Sequence, residues 1–250
     1  MQQIFPGEVF ANTNNFDSGI RQLLPRYDEM LDTISNCLPK NCQRILEFGC
    51  GTGELSLKIL KKYPDVEIIA LDYSPRMIQF ASSKVMEAGY QQRWTGIEAD
   101  FGDWANNPES IGIKGKFDAC ISSLAIHHLS YEMRLKLSKQ ICQSLNPQGC
   151  FWNADPVLPE SPAIKEAYNL VREEWEKQQG KDLSEVRSQL AMNDQSVDYR
   201  SNQGHSAQDQ LATLNTHLKM LSEAGFTTVA VPWKYYGLAV FGGWIDSPGE

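Results

Sequence analysis

The sequence predicts an α/β fold built on a doubly wound, seven-stranded sheet, mostly parallel, with an antiparallel C-terminal hairpin. Three observations carry that prediction. Short β-rich runs alternate with helical stretches from about residue 44 to 155, glycines crowd the first strand-to-helix turn, and two late β-rich runs lie too close together for a crossover. Strict alternation marks βαβ units, because parallel neighbours need a crossover helix whereas antiparallel ones need only a turn.

The elements follow in order. Arg44 to Gly49 is the first strand, and a helix from about Glu54 to Tyr63 follows until Pro64 stops it. Glu67 to Asp72 is the second strand. Ser74 and Pro75 open the next helix, a hydroxyl cap before proline at the first helical position, and Ile78, Ala81, Val85 and Ala88 share one of its faces up to Gly89. Trp94 to Ala99 is a weaker third strand and Phe117 to Leu124 a strong fourth. A helix from about Tyr131 to Leu145 buries Leu135, Ile141, Cys142 and Leu145, the turn Asn146-Pro-Gln-Gly149 ends it, and Gly149 to Ala154 is the fifth strand.

Residues 157–207 break the alternation with a polar insertion that contains a helix from about Ala163 to Gln179. The core pattern resumes over 208–250, in a helix carrying Leu211, Leu214, Leu218 and Leu221. Strands Thr227 to Trp233 and Gly237 to Phe241 then flank an aromatic turn at Tyr235 and Tyr236. Residues 1–40 read as a lid of N-terminal helices, helical around Ile20 to Leu38, with Leu23, Leu24, Tyr27, Met30, Leu31 and Ile34 as an apolar face. The whole of 1–250 is expected to be a single domain around a ligand-binding core at 44–155.

Composition narrows the function. Lys and Arg number 23 against 31 Asp and Glu, a formal charge of -8, and no basic cluster is present to neutralise a row of phosphates, so nucleic acid is not an expected partner. No apolar run approaches the roughly 18 residues of a membrane span, and no charged-then-apolar leader opens the chain. The expected location is the cytoplasm. Cys37, Cys42, Cys50, Cys120, Cys142 and Cys150 form no C-x-x-C pair and no zinc-ligand spacing, so free thiols and no metal site are expected.

Chemistry concentrates at Glu47-Phe-Gly49-Cys-Gly51-Thr-Gly53, where a strand turns directly into a helix and bare backbone N–H groups face a ligand. A dinucleotide fingerprint is spaced G-x-G-x-x-G; here the spacing is G-x-G-x-G after an acidic residue, Glu47, which favours a ligand without a pyrophosphate. Asp72 ends the second strand about 20 residues past the loop, where a carboxylate accepts both hydroxyls of a ribose. NAD and S-adenosylmethionine both carry that diol.

Five segments in order make the chain resemble the class I S-adenosylmethionine-dependent methyltransferases, a Rossmann-like family: Ile45 to Gly53, Ala70 to Met77, Glu98 to Phe101, Phe117 to His128 and Leu145 to Gly149. The resemblance implies that S-adenosylmethionine is the cofactor. It implies that Gly49, Gly51 and Gly53 cradle its amino-acid part, Asp72 holds the ribose and Asp100 meets the adenine amino group. Tyr73, Met77 and Phe101 would then pack on the base, and Leu124 would cover the sulfonium region. Gln148 stands where the family commonly has glycine. The N-terminal segment is similar to the lid of small-molecule members, which makes Arg21 a candidate for the cofactor carboxylate and Tyr27 a candidate on the acceptor side.

Methyl transfer is an in-line displacement at an already activated carbon, so a dedicated base is optional and alignment and water exclusion are the main tasks. Candidate proton acceptors are His128, the preferred one, then His127 and Asp155, all at the carboxyl edge of the sheet. A small molecule methylated on nitrogen or oxygen is the expected acceptor. The alternatives are a transfer RNA modification enzyme using S-adenosylmethionine or a derivative, an NAD-dependent oxidoreductase, which the glycine spacing disfavours, and a non-catalytic cofactor-binding protein. Oligomeric state is not encoded in these patterns.

Overall fold

The computed structural model describes residues 16–109, 111–179 and 210–246. Residues 180–207 of the predicted insertion and residues 1–15 of the lid lie outside them. Seven strands form one sheet: β1 (Arg44–Phe48), β2 (Glu67–Asp72), β3 (Trp94–Glu98), β4 (Phe117–Ser123), β5 (Leu145–Pro156), β6 (Thr228–Tyr235) and β7 (Leu238–Trp244). Their order is β3-β2-β1-β4-β5-β7-β6. The pairs β1–β2, β2–β3, β1–β4 and β4–β5 are parallel, whereas β7 runs antiparallel to both of its neighbours. The doubly wound sheet with its antiparallel hairpin is therefore observed.

Side chains alternate across this sheet and feed two cores. Ile45, Ile68, Ala70, Ile121, Trp152 and Val240 face α2 (Tyr27–Asn36), α3 (Glu54–Lys62) and α4 (Pro75–Glu87), meeting Met30, Ile34, Ile59, Leu60 and Ala81. Leu46, Phe48, Cys120, Phe151 and Phe241 face the other way. There they meet Trp104 of α5 (Phe101–Asn106), Leu137 and Ile141 of α6 (Tyr131–Ser144), and Leu221 of α8 (Leu214–Ala224). Fully burying one such large apolar side chain contributes about 1.5–3 kcal/mol, so two filled faces hold the parallel strands together.

The helix before β6 starts at Leu214, leaving Leu211 outside it, β6 runs on through Tyr235, and four further elements differ from the sequence prediction. The N-terminal helical stretch starts earlier than Ile20 and is divided into α1 (Phe16–Leu23) and α2, because Pro25 cannot continue a helix and Arg26 takes a left-handed φ of 59°. Helix α5 is an addition: it is six residues long, and Asp100 caps it by accepting from the Gly102 and Asp103 N–H groups. Strand β5 begins at Leu145 rather than Gly149, absorbing the predicted turn as a bulge with Gln148 at φ 64°. Strand β7 continues through Gly242 and Gly243 to Trp244, since any Cβ on Gly242 would lie 1.9 Å from the Phe151 carbonyl oxygen. The insertion helix, α7 (Pro162–Gln178), is where it was expected and buries no residue fully.

Candidate functional site

The carboxyl ends of β1, β2 and β4 meet at the glycine turn. Gly49, Gly51 and Gly53 have φ of 68°, 51° and 79°, a left-handed series that lets the chain double back into α3. Gly49 and Cys50 N–H both donate to the Leu71 carbonyl of β2, at 2.8 and 3.1 Å. A Cβ on Gly49 would sit 2.2 Å from that of Ala125, whereas one on Gly51 would meet nothing within 4 Å. The turn is thus packed beneath and open above.

Asp72 stands beside it, 5% exposed. Its Oδ2 accepts from Gly51 N–H at 2.9 Å and its Oδ1 from Ser74 N–H at 3.0 Å, so the carboxylate ties the glycine turn to the start of α4. Asp100, half-buried, ends the stretch after β3 in its cap position. Met77 and Phe101 are each 2% exposed and belong to the packing under the site, while Tyr73 alone of the three predicted base contacts is partly exposed. Leu124 leaves β4 with φ 56°, a conformation that L residues rarely hold, and its N–H bonds to the Ala154 carbonyl at 2.8 Å. Glu47 is 1% exposed; Ser56 donates to its carboxyl, and Trp94 Nε1 donates to Ser56 at 2.8 Å. Its carboxyl is therefore turned into the packing between β1 and α3.

Helix α1 is fastened to this turn by charge. Asp17 of α1 accepts from Thr52 Oγ1 in the turn and from Lys84 of α4. Arg21 spans Asp28 at 2.9 and 3.0 Å and pairs with Glu54 at the start of α3, and Glu54 also holds Lys84. Arg21, predicted to face a ligand carboxylate, is instead held by carboxylates of the protein. Tyr27 needs correcting as an acceptor-side residue. It is 7% exposed in the core beside Met30 and Ile34, and burial followed by the charge of Glu54 raises its phenol well above the usual value, so it neither gives nor takes a proton near neutrality.

At the end of β4 a short 3-10 helix, Ile126–His128, aims His127 at β5. His127 Nδ1 lies 2.7 Å from Asp155 Oδ1, and Asp155 Oδ2 accepts from Asn153 Nδ2 at 2.8 Å. His127 is 6% exposed and Asp155 0%. The ring of His128 lies 4.2 Å from that of His127, so the two histidines are neighbours and the carboxylate reaches His127, the one the sequence ranked second. Among the described residues no three His, Cys, Asp or Glu are grouped to hold a metal, and no helix is long and apolar enough to cross a membrane.

Residues 45–149 match a family model described as a methyltransferase domain. A carboxy-S-adenosyl-L-methionine synthase of Nautilia profundicola is 23% identical over 90% of this chain and 88% of its own length. An uncharacterized methyltransferase of Bacillus subtilis, YrrT, is 30% identical over 63% of this chain and 66% of its own length. These similarities support a class I S-adenosylmethionine-dependent methyltransferase.

Solved methyltransferases share the fold. An O-methyltransferase family protein from Burkholderia thailandensis superposes with a TM-score of 0.65 at 14% identity, covering 98% of this chain and 64% of that one. PigF, solved with S-adenosylhomocysteine, gives 0.62 at 15%, covering 94% and 60%. The chain spans just under two thirds of the length of these solved relatives.

Two polar residues near the histidines escaped the sequence reading. Arg134 of α6 and His217 of α8 are 4% and 3% exposed. Each occupies the inward face of its helix, Arg134 in register with Leu137, Ser138 and Ile141, His217 with Leu214 and Leu221. A charged residue inside an apolar stripe was the available signal.

Proposed function

We propose that this methyltransferase acts on a hydroxyl or amine of a small molecule by in-line displacement, with His127 taking the acceptor's proton. The observation that carries this reading is the 2.7 Å contact between His127 Nδ1 and a fully buried Asp155 at the carboxyl edge of the sheet. A carboxylate on Nδ1 fixes the tautomer whose lone pair is on Nε2 and stabilises the imidazolium that forms. When bound, S-adenosylmethionine supplies a methyl group activated by its sulfonium.

The residues present suit that cofactor. The open face of Gly51 leaves room where a side chain would intrude. In this reading Gly49, Gly51 and Gly53 cradle the amino-acid part, Asp72 takes the ribose, Asp100 the adenine amino group, Tyr73 the edge of the base and Leu124 the sulfonium side. Asp72→Ala is expected to weaken S-adenosylhomocysteine binding at least about tenfold in calorimetry, roughly 1.4 kcal/mol, with NAD as a control that binds neither form. Unchanged affinity would remove Asp72 from the site.

The formal charge of -8 favours a small acceptor over nucleic acid, and six free thiols favour a reducing, cytoplasmic setting. Release of S-adenosylhomocysteine over a panel of phenols, alcohols and amines tests the reaction. His127→Asn should lower turnover about 100-fold or more with a hydroxyl acceptor, whereas His128→Asn should leave most of it. The reverse ranking would reinstate His128.

A second reading, modification of the cofactor itself, is favoured by one finding: the similarity to carboxy-S-adenosyl-L-methionine synthases extends along 90% of this chain, beyond the matched domain. Mass spectrometry of the bound nucleoside after purification separates the two, because a carboxylated nucleoside would be retained only in the second.

A further inference from the structure

The 3-10 turn that carries the histidines is three residues long, Ile126–His128, so it satisfies few of its own carbonyls. His128 N–H returns to the Ala125 carbonyl at 3.3 Å and Leu129 N–H to that of Ile126 at 3.0 Å. The next two carbonyls belong to His127 and His128, and both accept from one residue of the chain's return to the sheet. Gln210 N–H donates to the His127 carbonyl at 2.8 Å, and Gln210 Nε2 donates to the His128 carbonyl at 3.3 Å.

Gln210 is itself held in place. Two residues on, the Ala212 carbonyl accepts from Leu158 N–H at 2.9 Å, and Leu158 pairs with Thr213 in a parallel bridge. Thr213 caps α8 by accepting from Thr216 N–H at 3.3 Å, and Leu221 seats α8 in the second core. Leu158 lies three residues past Asp155, on the chain leaving β5. A closed circuit results. The His127 ring meets Asp155, the His127 carbonyl meets Gln210, and the residues after Gln210 meet the chain just beyond Asp155. On the other side, the bond from Leu124 N–H to the Ala154 carbonyl at 2.8 Å ties the ends of β4 and β5. The ring contact is thus framed by two backbone ties.

A turn this short has poor internal hydrogen-bond geometry and cannot hold one orientation alone. The direction of the imidazole follows that backbone, and a displacement of about 1 Å at a reacting group can cost on the order of 100-fold in rate. We propose that Gln210 is a positioning residue for His127: by gripping the two carbonyls of the turn it keeps the imidazole Nδ1 on Asp155. Its meaning for the reaction rests on the reading of His127 as proton acceptor. The insertion leaves the sheet just after Asp155 and returns at Gln210, so both of its ends bear on the couple.

The test begins with ring-nitrogen NMR on the full chain, which needs no ligand, with His127 assigned by its Asn variant. In the native protein the His127 Nδ1–H, held by Asp155, should exchange slowly with water. Gln210→Ala should speed that exchange about fivefold or more, the weight of one lost hydrogen bond. Gln210→Glu keeps the length and shape but presents only oxygens to the His128 carbonyl, and should speed it as much. With the acceptor that a panel identifies, both variants should lower kcat about tenfold and leave the KM for S-adenosylmethionine unchanged. In a His127→Asn background Gln210→Ala should cost nothing further. If Gln210→Ala does not fold, Gln210→Glu carries the comparison.

Native exchange of the Nδ1–H in both variants would overturn the proposal. Native exchange in Gln210→Glu alone would overturn it too, since packing rather than donation would then hold the turn. An equal loss of turnover with and without His127 would mean that Gln210 acts elsewhere. Turnover that does not depend on His127 would instead overturn the proton-acceptor reading and leave the exchange pattern as expected, so the two failures are distinguishable.

Discussion

Gly49→Ala is expected to abolish S-adenosylhomocysteine binding and to destabilise the protein by about 3–5 kcal/mol, the sum of an overpacked contact and a left-handed residue carrying a Cβ. The added methyl would lie 2.2 Å from the Ala125 Cβ, at a φ of 68°. Neither partner can give way easily. Gly49 is pinned by its bond to the Leu71 carbonyl, and Ala125 follows Leu124, itself in a left-handed conformation. Adding Ala125→Gly should recover the part due to the collision and leave about 1–2 kcal/mol from backbone conformation. Gly51→Ala meets no protein atom within 4 Å, so thermal unfolding should register only that conformational cost while calorimetry shows lost affinity. A native melting temperature for Gly49→Ala would mean that the turn is not packed as described.

Raising the pH from about 5 to 8.5 is expected to destabilise the fold, the reverse of ordinary carboxylate behaviour. Burial, with the nearby charge of Asp72, lifts Glu47 from 4.5 to about 8 against the opposing bond from Ser56. Burial likewise lifts Asp72 from 3.8 to about 6, against the N–H groups of Ser74, Gly51 and Tyr73. A carboxyl whose folded value is raised binds its proton more tightly when folded. Its contribution is complete below the ordinary value and is lost as pH climbs through the folded one, over 4.5 to 8 for Glu47 and 3.8 to 6 for Asp72. Asp28 and Glu54, lowered chiefly by bonds to Arg21 and Lys84 against burial, act with the opposite sign as pH falls. Stability should therefore peak in mildly acidic solution.

Glu47→Gln keeps the shape and the bond from Ser56 but cannot ionise. Denaturant unfolding at pH 8.5 should find it more stable than the native protein by about 2 kcal/mol or more, with the advantage gone by pH 5. A variant weaker than native at both pH values would show that Glu47 is ionised in the folded chain.

Which parts could be read from sequence alone follows from the range of the forces involved. β1, β2, β4 and the cap at Ser74 depend on neighbours within a few residues, and those features lie where the sequence puts them. Helix α5 is too short to show a period, and its signal reduces to the cap at Asp100. The Gly242–Gly243 pair reads locally as a breaker, yet the strand continues because Phe151, far away in sequence, needs the space. The choice between His127 and His128 turned on Asp155, a residue 28 positions on, and no periodicity reports which of two adjacent rings a distant carboxylate meets. Pro25 marks the break between α1 and α2 locally, as a residue that cannot continue a helix.

The position of β7 bears on how the chain is made as well as on how it is held. This strand comes after β6 in sequence but lies between β5 and β6 in the sheet. On the ribosome, β5 emerges with one edge unpaired, and α8 and β6 emerge with no sheet edge of their own to join. Until Leu238–Trp244 is available, nascent β5 exposes backbone donors and acceptors along Cys150 to Pro156, the register that β7 later fills. Synthesis thus passes through a stage in which the half-built sheet presents an adhesive edge, and shielding it then falls to the cell rather than to the fold.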